Sequence, residues 1–516
     1  MGKRQLKGSI TVFLSLVSIL FLSLICTAVE SARVQGARAQ AANIADMGNY
    51  SVFGEYEKKL LEEYEIFAVD GACGTGDFSI ERVNSSMKTY LSCNAQPKPE
   101  NISWLYFDPW QLQLNGSEIT EYALLTDQNG EAFYQQAVAY MKATAITGTV
   151  GKLIQYNQDA QSARDSQETY EKEKYSSDRE MKELEQQEAE KKKELEEQQK
   201  QAAAEGNELV IVEENPVEAV KPENPLTALN KLRKKSILQI VCGSGDISEK
   251  KVSWRDLASQ RSGKKGKMKL ETKYGGLVCD LLFREYLLDR FPNYLSSVSC
   301  GKLDYQMEYI LCGKRSDEGN LKAVVQKLLL IREGMNYLYC VGNSEMNGQA
   351  GSLAALLIGW TGIPALVAVL KHALLLGWAY GESLLDVKTL LDGGKIPLTK
   401  TSATWVVTLD RLGQLAEILE ENGSSRQEGM AYRDYLRILL NLQFLTTQKK
   451  RALDMVELNL QSVPGLSNFQ VNHCIVGLKS ETQWTISPVF LRVPAAFLGT
   501  GIESWKVKVK SGFAYD

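Results

Sequence analysis

The first pattern along the chain is an uninterrupted apolar run from Ser9 to Val29, 21 residues without a charged side chain. A helix rises about 1.5 Å per residue, so this run is long enough to cross a hydrocarbon core about 30 Å thick. A cleavable secretory signal has a shorter apolar region followed by a small-x-small site, whereas Val29-Glu30-Ser31 is a poor site. We therefore predict an uncleaved transmembrane helix over residues 9–29.

After this run, apolar positions recur at spacings near three and four, which is typical of an amphipathic helix. These positions are Ala41, Ile44, Met47, Tyr50 or Val52, Phe53, Tyr56, Leu60 and Tyr64. We predict that the transmembrane helix continues as a stalk helix over residues 30–64. Gly36, Gly48 and Gly54 interrupt this stretch and indicate bends or close packing.

Charge on the two sides of the apolar run predicts its orientation. Lys3, Arg4 and Lys7 precede the run, while the charges that follow it are mixed in sign. An excess of Lys and Arg on the short side favours a cytoplasmic N-terminus. We expect residues 1–8 to form a cytoplasmic basic tip, the helix to cross the membrane once, and the body to be extracellular.

Beyond the stalk, the pattern predicts an α+β fold in which an α-rich ectodomain carries a long polar helix and C-terminal antiparallel strands. The expected segments are a small α+β domain over 65–158, a charged helix over 159–206, an acidic Pro-containing linker over 207–225 and a C-terminal α+β domain over 226–516. Turn signals in the small domain include Asn115-Gly116 and Asn129-Gly130.

The charged helix has almost no large apolar side chains. Residues 161–205 contain 14 acidic and 9 basic side chains, and most heptad a and d positions are polar. This composition favours a solvated helical spacer over a coiled coil that binds a partner, although both interpretations remain open. A spacer of this kind buries little apolar area, so its deletion is expected to leave the rest of the protein folded.

The C-terminal domain shows both helical and strand periodicity. Leu321–Cys340 predicts an amphipathic helix, and a single long helix is expected over Tyr432–Leu460. Leu353–Leu370 is uncharged over 18 residues, but its glycines and Pro364 favour buried core helices over a second transmembrane span. Strands are expected around Phe469–Ile475 and Trp505–Lys510, the latter with lysines on its outer face.

Several segments resemble a family of membrane-anchored proteins found beside Tad-type (tight adherence) pilus genes in clostridia-like bacteria. They are KGSITVFLSL (Lys7–Leu16), ESARVQGARAQ (Glu30–Gln40), SVFGEY…LLEEYEIF (Ser51–Phe67), YILCGKRSDEGNL (Tyr309–Leu321) and WAYGESLLDVKTLLDGGKIPLTK (Trp378–Lys400). The layout of the N-terminus is similar to that of TadE/TadG-like pseudopilins. This resemblance implies a long N-terminal helix that lies half in the membrane and half on a globular body.

The resemblance also raises the question of prepilin-type processing between Gly8 and Ser9. Prepilins are cut after a glycine and carry glutamate as the fifth mature residue, whereas Phe13 stands at that position here. Glu30 lies at the far end of the apolar run, about 30 Å along the helix. We therefore expect a permanent anchor that keeps residues 1–8.

Candidate catalytic chemistry is scarce. The chain has only two histidines, and its nine cysteines form no C-x-x-C motif, which disfavours metal and redox sites. We assign no catalytic, cofactor-binding or metal-binding residue. The candidate disulfides are Cys73/Cys93 and Cys300/Cys312, with buried free thiols as the alternative. Glu382 and Asp386 are expected to pair with Lys388 or Lys400, with an ion site as the alternative.

These observations predict a structural, non-enzymatic envelope protein that assists Tad-type pilus assembly or secretion. The alternative is a surface binding or scaffold protein that projects its ectodomain on the polar helix. The expected partners are the membrane and other Tad components, with homo-oligomerisation through the N-terminal helix as a further expectation. A net charge of −4 gives no indication of a nucleic-acid partner.

Overall fold

The computed structural model describes residues 6–95, 108–144, 149–204, 224–242, 247–297, 301–359, 363–421 and 428–515. The helices are α1 (Leu6–Phe53), α2 (Lys58–Tyr64), α3 (Ile80–Ala95), α4 (Asp127–Thr144), α5 (Thr149–Ala204), α6 (Pro225–Arg233), α7 (Ile237–Val241), α8 (Leu277–Arg290), α9 (Gln306–Cys312), α10 (Asp317–Gly342), α11 (Ser344–Ile358), α12 (Pro364–Leu391), α13 (Leu415–Glu421), α14 (Tyr432–Asn441), α15 (Leu445–Leu460) and α16 (Arg492–Leu498). The strands are β1 (Val69–Asp70), β2 (Leu112–Leu124), β3 (Cys474–Ile486) and β4 (Trp505–Ala514). The fold is thus mixed helix and antiparallel sheet, as expected.

The chain forms two units, and each is assembled from separate stretches of sequence. Unit 1 contains Met1–Thr144, Trp254–Gly276 and Ala452–Asp516, and unit 2 contains Ala145–Ser253 and Leu277–Arg451. The contiguous domains expected at 65–158 and 226–516 do not correspond to these units. The reason is that strands from the C-terminal end of the chain complete a sheet begun near its N-terminal end.

Unit 1 is built around this antiparallel sheet, in which β3 is the central strand. β2 pairs along one side of β3, while β4 and β1 pair along the other. Along β4, partly buried and exposed residues alternate, which confirms the predicted strand with exposed lysines. Asn115-Gly116 does not form a turn; it lies within β2, where the pairing register shifts. The residues before Cys474 form a short 3₁₀ turn, so β3 begins later than predicted.

The two ends of α1 have different surroundings. Side chains along its apolar first half are largely exposed, whereas its second half packs against α3 and the sheet. The buried face includes Ala41, Ile44, Val52 and Phe53, as predicted. Met47 and Tyr50 are exposed instead, because the buried stripe passes through Ala45, Gly48 and Asn49.

The predicted stalk helix ends earlier than residue 64. α1 stops at Phe53, the chain turns at Gly54-Glu55, and α2 forms a separate short helix that ends at Tyr64. Gly54 donates its backbone N–H to the carbonyl oxygen of Tyr50, which closes the last turn.

In unit 2, α5 is not a solvated spacer along its first half. The helix packs against α10 and α12, and six of its side chains are buried: Leu153, Ala160, Ala163, Ser166, Tyr170 and Ser177. The expectation that residues 161–205 contribute little to a core was therefore wrong for the first part of that segment. The packing side chains are mostly small, so a search for large apolar residues missed them. Beyond Met181, the described side chains of α5 are exposed.

Among the described residues, two helices are long and apolar enough to cross a membrane, one within α1 and the other α12. Leu353–Leu370 is not one helix, because α11 ends at Ile358 and α12 begins at Pro364. Of the described side chains in Leu353–Leu370 only Ala354, Leu366 and Leu370 are buried, so the expected burial of this segment was wrong. α12 is buried in unit 2 mainly from Leu374 onwards. Tyr432–Leu460 is likewise divided into α14 and α15, whereas α10 confirms the amphipathic helix predicted over Leu321–Cys340.

Candidate functional site

The most informative site in unit 1 lies where α1 changes from exposed to buried. Glu30 directly follows the apolar run and Arg33 lies about one turn later, and both side chains are almost completely buried. They form an ion pair with each other, with Arg33 Nε 3.0 Å from Glu30 Oε1. We call this pair and the loops it contacts the anchor junction.

Arg33 connects α1 to two loops of the globular body. Its Nη1 donates to the carbonyl oxygens of Pro109 and Trp110, at 3.0 and 2.9 Å, and its Nη2 donates to that of Ser487 at 2.6 Å. The guanidinium therefore binds the segment before β2 and the segment after β3 together. Five fixed donors in one plane suit this role better than a lysine ammonium would.

Glu30 completes the anchor junction from the same face of the helix. Its Oε2 accepts a hydrogen bond from the backbone N–H of Phe490 at 2.7 Å, and Val489 N–H lies 3.3 Å away. Burial raises the pKa of Glu30, but hydrogen bonds from Arg33 and Phe490 outweigh it and hold the pKa below its usual range. The carboxylate is therefore charged at neutral pH and has its partners within its own chain.

Two glycines of α1 allow this close packing. A Cβ on Gly36 would lie 2.3 Å from the Trp110 indole, and one on Gly48 would lie 2.6 Å from Leu91. The sequence had indicated close packing or bends at these positions, and the structure gives close packing. The pairing of Glu30 with Arg33 was not foreseen, although an acidic and a basic residue three apart on a helix is a recognisable signal.

The candidate processing residues lie in the first turns of α1. Gly8 and Ser9 fall within its bounds, and Phe13 is 67% exposed on the same helix. No carboxylate occurs in the apolar half of the described helix, since Glu30 is its first acidic residue. Gly8 and Ser9 are thus about 30 Å from the anchor junction along the helix axis.

In unit 2, four charged side chains lie together in the core, and we call them the charge network. They are Arg332 on α10, Glu382 and Asp386 on α12, and Lys400 in the loop that follows α12, each 3% exposed or less. Lys400 Nζ lies 2.5 Å from Glu382 and 2.7 Å from Asp386, and Arg332 Nη2 lies 2.9 Å from Asp386. The predicted pairing with Lys400 is confirmed, whereas Lys388 pairs with Asp392.

The charge network also positions the loop after α12. Glu382 Oε2 accepts the backbone N–H of Val407 at 2.7 Å, and Arg332 Nη1 donates to the carbonyl oxygens of Pro397 and Leu398. Burial raises the pKa of Asp386, but the positive charges of Arg332 and Lys400 outweigh it and lower the pKa overall. Two cations and two carboxylates balance each other, so the arrangement is that of a structural network.

The cysteines give no support to the candidate disulfides. Cys73 and Cys93 are exposed free thiols, so this structure does not contain the candidate pair. Cys312 is also free, while Cys300 lies outside the described residues. Cys474, the neighbour of His473 in sequence, is buried, and its thiol contacts the carbonyl oxygen of Gln470.

Comparison with known proteins gives one match. Residues 215–486, more than half of the chain, match the profile of a family of unknown function, DUF5702. The chain belongs to the DUF5702 family. No curated protein and no solved structure matches it.

The DUF5702 match includes the charge network and excludes the anchor junction's α1 residues. It begins before α6 and ends at Ile486, the last residue of β3. Arg332, Glu382, Asp386 and Lys400 all lie inside it, as does the loop that they position. The DUF5702 region thus contains most of unit 2 together with the central strand of the unit 1 sheet, whereas α1 and β2 lie outside it.

Proposed function

We propose that this DUF5702 protein is a membrane-anchored, pilin-like envelope protein of the TadE/TadG type. In this role it assists a Tad-type pilus or secretion machine as a structural, non-catalytic component. The observation that carries the proposal is the division of α1 into an exposed apolar half and a half that packs on an antiparallel sheet. An exposed apolar helix of this length is stable only in lipid or against other apolar helices.

The anchor junction supports an assisting role over that of a main filament subunit. In a growing pilus, a carboxylate within the apolar helix pairs with the N-terminus of a neighbouring subunit. Here the first acid of α1 is Glu30, and its oxygens already accept hydrogen bonds from Arg33, Val489 and Phe490. If Glu30 instead paired with a neighbouring subunit, Arg33 would remain buried without its carboxylate partner, at a cost of about 3–5 kcal/mol.

N-terminal peptide mass spectrometry of the native protein tests this role. We expect peptides that retain residues 1–8, recovered from the membrane fraction, and co-purification with pilus components after cross-linking. A dominant peptide that starts at Ser9 and comes from sheared filaments would contradict the permanent anchor. A Phe13→Glu variant serves as a positive control, since it introduces an acid at the position where prepilins carry one.

Thiol labelling tests the proposed orientation. Cys73 and Cys93 are exposed, so a membrane-impermeant maleimide is expected to label them on intact, wall-stripped cells. Cys73→Ser/Cys93→Ser protein gives the background from the other cysteines. Labelling that appears only after lysis would place the body inside the cell.

Cross-linking that captures surface ligands but no pilus component would favour the scaffold alternative.

A further inference from the structure

Two open clefts lie side by side along α10 in unit 2. One has a volume of about 650 Å³ and is lined by residues around the start of α10, together with Lys251 and Val252. The other has a volume of about 490 Å³ and is lined by residues of α5, α6, α7 and α12. Lys322 and Gln326 line both clefts, so the two form a continuous surface that we call the basic groove.

The basic groove concentrates positive charge in a chain whose net charge is −4. Its described lining includes seven cationic side chains and one carboxylate, that of Glu333. The cationic residues are Lys174, Arg233, Lys235, Lys251, Lys314, Arg315 and Lys322. Glu318 is exposed in the first turn of α10, but it does not line the groove.

Only part of this charge is balanced within the protein. Arg233 stacks over the Tyr380 ring at 4.5 Å, and Lys174 lies 5.4 Å from the Tyr170 ring. Both side chains face Glu333. Burial raises the pKa of Glu333 despite these two positive charges. In the described part of the chain, no carboxylate lies within 4 Å of the ammonium groups of the lysines at the other end of the groove, Lys251, Lys314 and Lys322.

Two backbone N–H groups at the start of α10 are not available to bind an anion. The N–H of Gly319 already donates to Ser316 Oγ, and that of Asp317 donates to the carbonyl oxygen of Lys250. The attraction must therefore come from the lysine side chains. Lysine ammonium groups bind phosphate oxygens as mobile point charges, so they suit successive phosphates along a flexible chain.

We propose that the basic groove binds a linear polyanion of phosphodiester-linked polyol units. Its concave shape fits a chain better than a flat bilayer surface. Tyr380 is the one aromatic side chain among the described lining residues, and Arg233 covers it, so the groove offers no stacking platform for nucleic-acid bases. The proposal does not depend on the pilus role.

Fluorescence anisotropy on the detergent-solubilised full chain tests this proposal with a labelled synthetic glycerol phosphate oligomer. We expect saturable binding that weakens with salt, and weaker binding of poly-glutamate and oligo-thymidylate of equal charge. Equal or tighter binding of either competitor would overturn the proposal. Binding to phosphatidylglycerol vesicles without binding to the oligomer would also overturn it, since the surface would then recognise lipid headgroups.

Charge-neutralising variants locate the binding surface. The first triple variant replaces three lysines of the groove, Lys251→Gln/Lys314→Gln/Lys322→Gln. We expect it to lower the affinity about tenfold or more and to reduce the slope of log affinity against log salt by about 2–3. The matched control is Lys506→Gln/Lys508→Gln/Lys510→Gln on β4, which removes the same charge from exposed positions and is expected to change little. Equal losses in both triple variants would refute the assignment. Because all six side chains are exposed, an unchanged melting temperature shows that folding is intact.

Discussion

Replacing Gly334 with alanine would place a methyl group between two helices of unit 2. Gly334 lies in the middle of α10, opposite the first half of α5. A Cβ built on it would lie 2.7 Å from Ser166 C, Ser166 O and Gln167 N, all of them backbone atoms. No side chain can rotate away to relieve this contact, so the two helices would have to separate.

The size of the effect follows from this geometry. Carbon atoms in contact prefer about 3.5–4.0 Å, so α5 and α10 must move apart by about 1 Å at this point. Overpacking of a core costs about 1–3 kcal/mol, and rigid backbone neighbours favour the upper end. Alanine recovers about 1 kcal/mol through its higher helix propensity. We expect Gly334→Ala to lower the free energy of unfolding by about 2 kcal/mol.

Gly348→Ala is the matched control, because Gly348 lies in α11 with no atom within 4 Å of a built Cβ. This variant gains the helix propensity alone and is expected to be stabilised by up to about 1 kcal/mol. Thermal unfolding of detergent-extracted protein measures both, and we expect melting temperatures that differ by about 6 °C. If Gly334→Ala is as stable as Gly348→Ala, then α5 does not pack on α10 as described.

Three further predictions concern unit 2. Burial raises the pKa of Glu308 to about 7 from 4.5, so the folded state binds the proton of this carboxyl group more tightly than the unfolded state does. The protein is therefore expected to lose about 3 kcal/mol of stability as pH rises from about 4.5 to 7. Glu308→Gln is expected to remove that loss, which denaturant unfolding at pH 5 and pH 8 would reveal; the idea fails if both proteins have the same pH profile. Lys400→Met leaves an excess buried negative charge and is expected to cost about 3–5 kcal/mol, whereas Lys388→Met at a more exposed pair costs less than about 1 kcal/mol; equal losses in urea unfolding would refute a buried network. Deleting residues 161–205 is expected to unfold unit 2, whereas deleting residues 183–204 is expected to change its melting temperature by only a few degrees. A folded protein after the longer deletion would restore the spacer interpretation.

The sequence by itself determined the features that depend on local pattern. The length of the apolar run defined the exposed half of α1, and the 3.6-residue period located α10. The alternation from Trp505 onwards identified β4 with its lysine face. Each of these follows from a repeat within one segment, because a helix or strand must present its apolar side chains on one face.

Only the tertiary structure decided which segments meet. β3 pairs with β1 and β2 although more than 300 residues separate them, and Arg33 binds carbonyl groups of Trp110 and Ser487. No local periodicity records such pairings, since the same alternation suits any partner strand.

The largest error, the solvated first half of α5, has a related cause. Its buried positions are mainly alanine and serine. These small side chains allow close packing only when a glycine lies opposite on another helix, as Gly334 of α10 does. Close backbone approach is a property of two surfaces together. A sequence pattern describes one surface at a time, and therefore it located the helices of this protein but not the contacts between them.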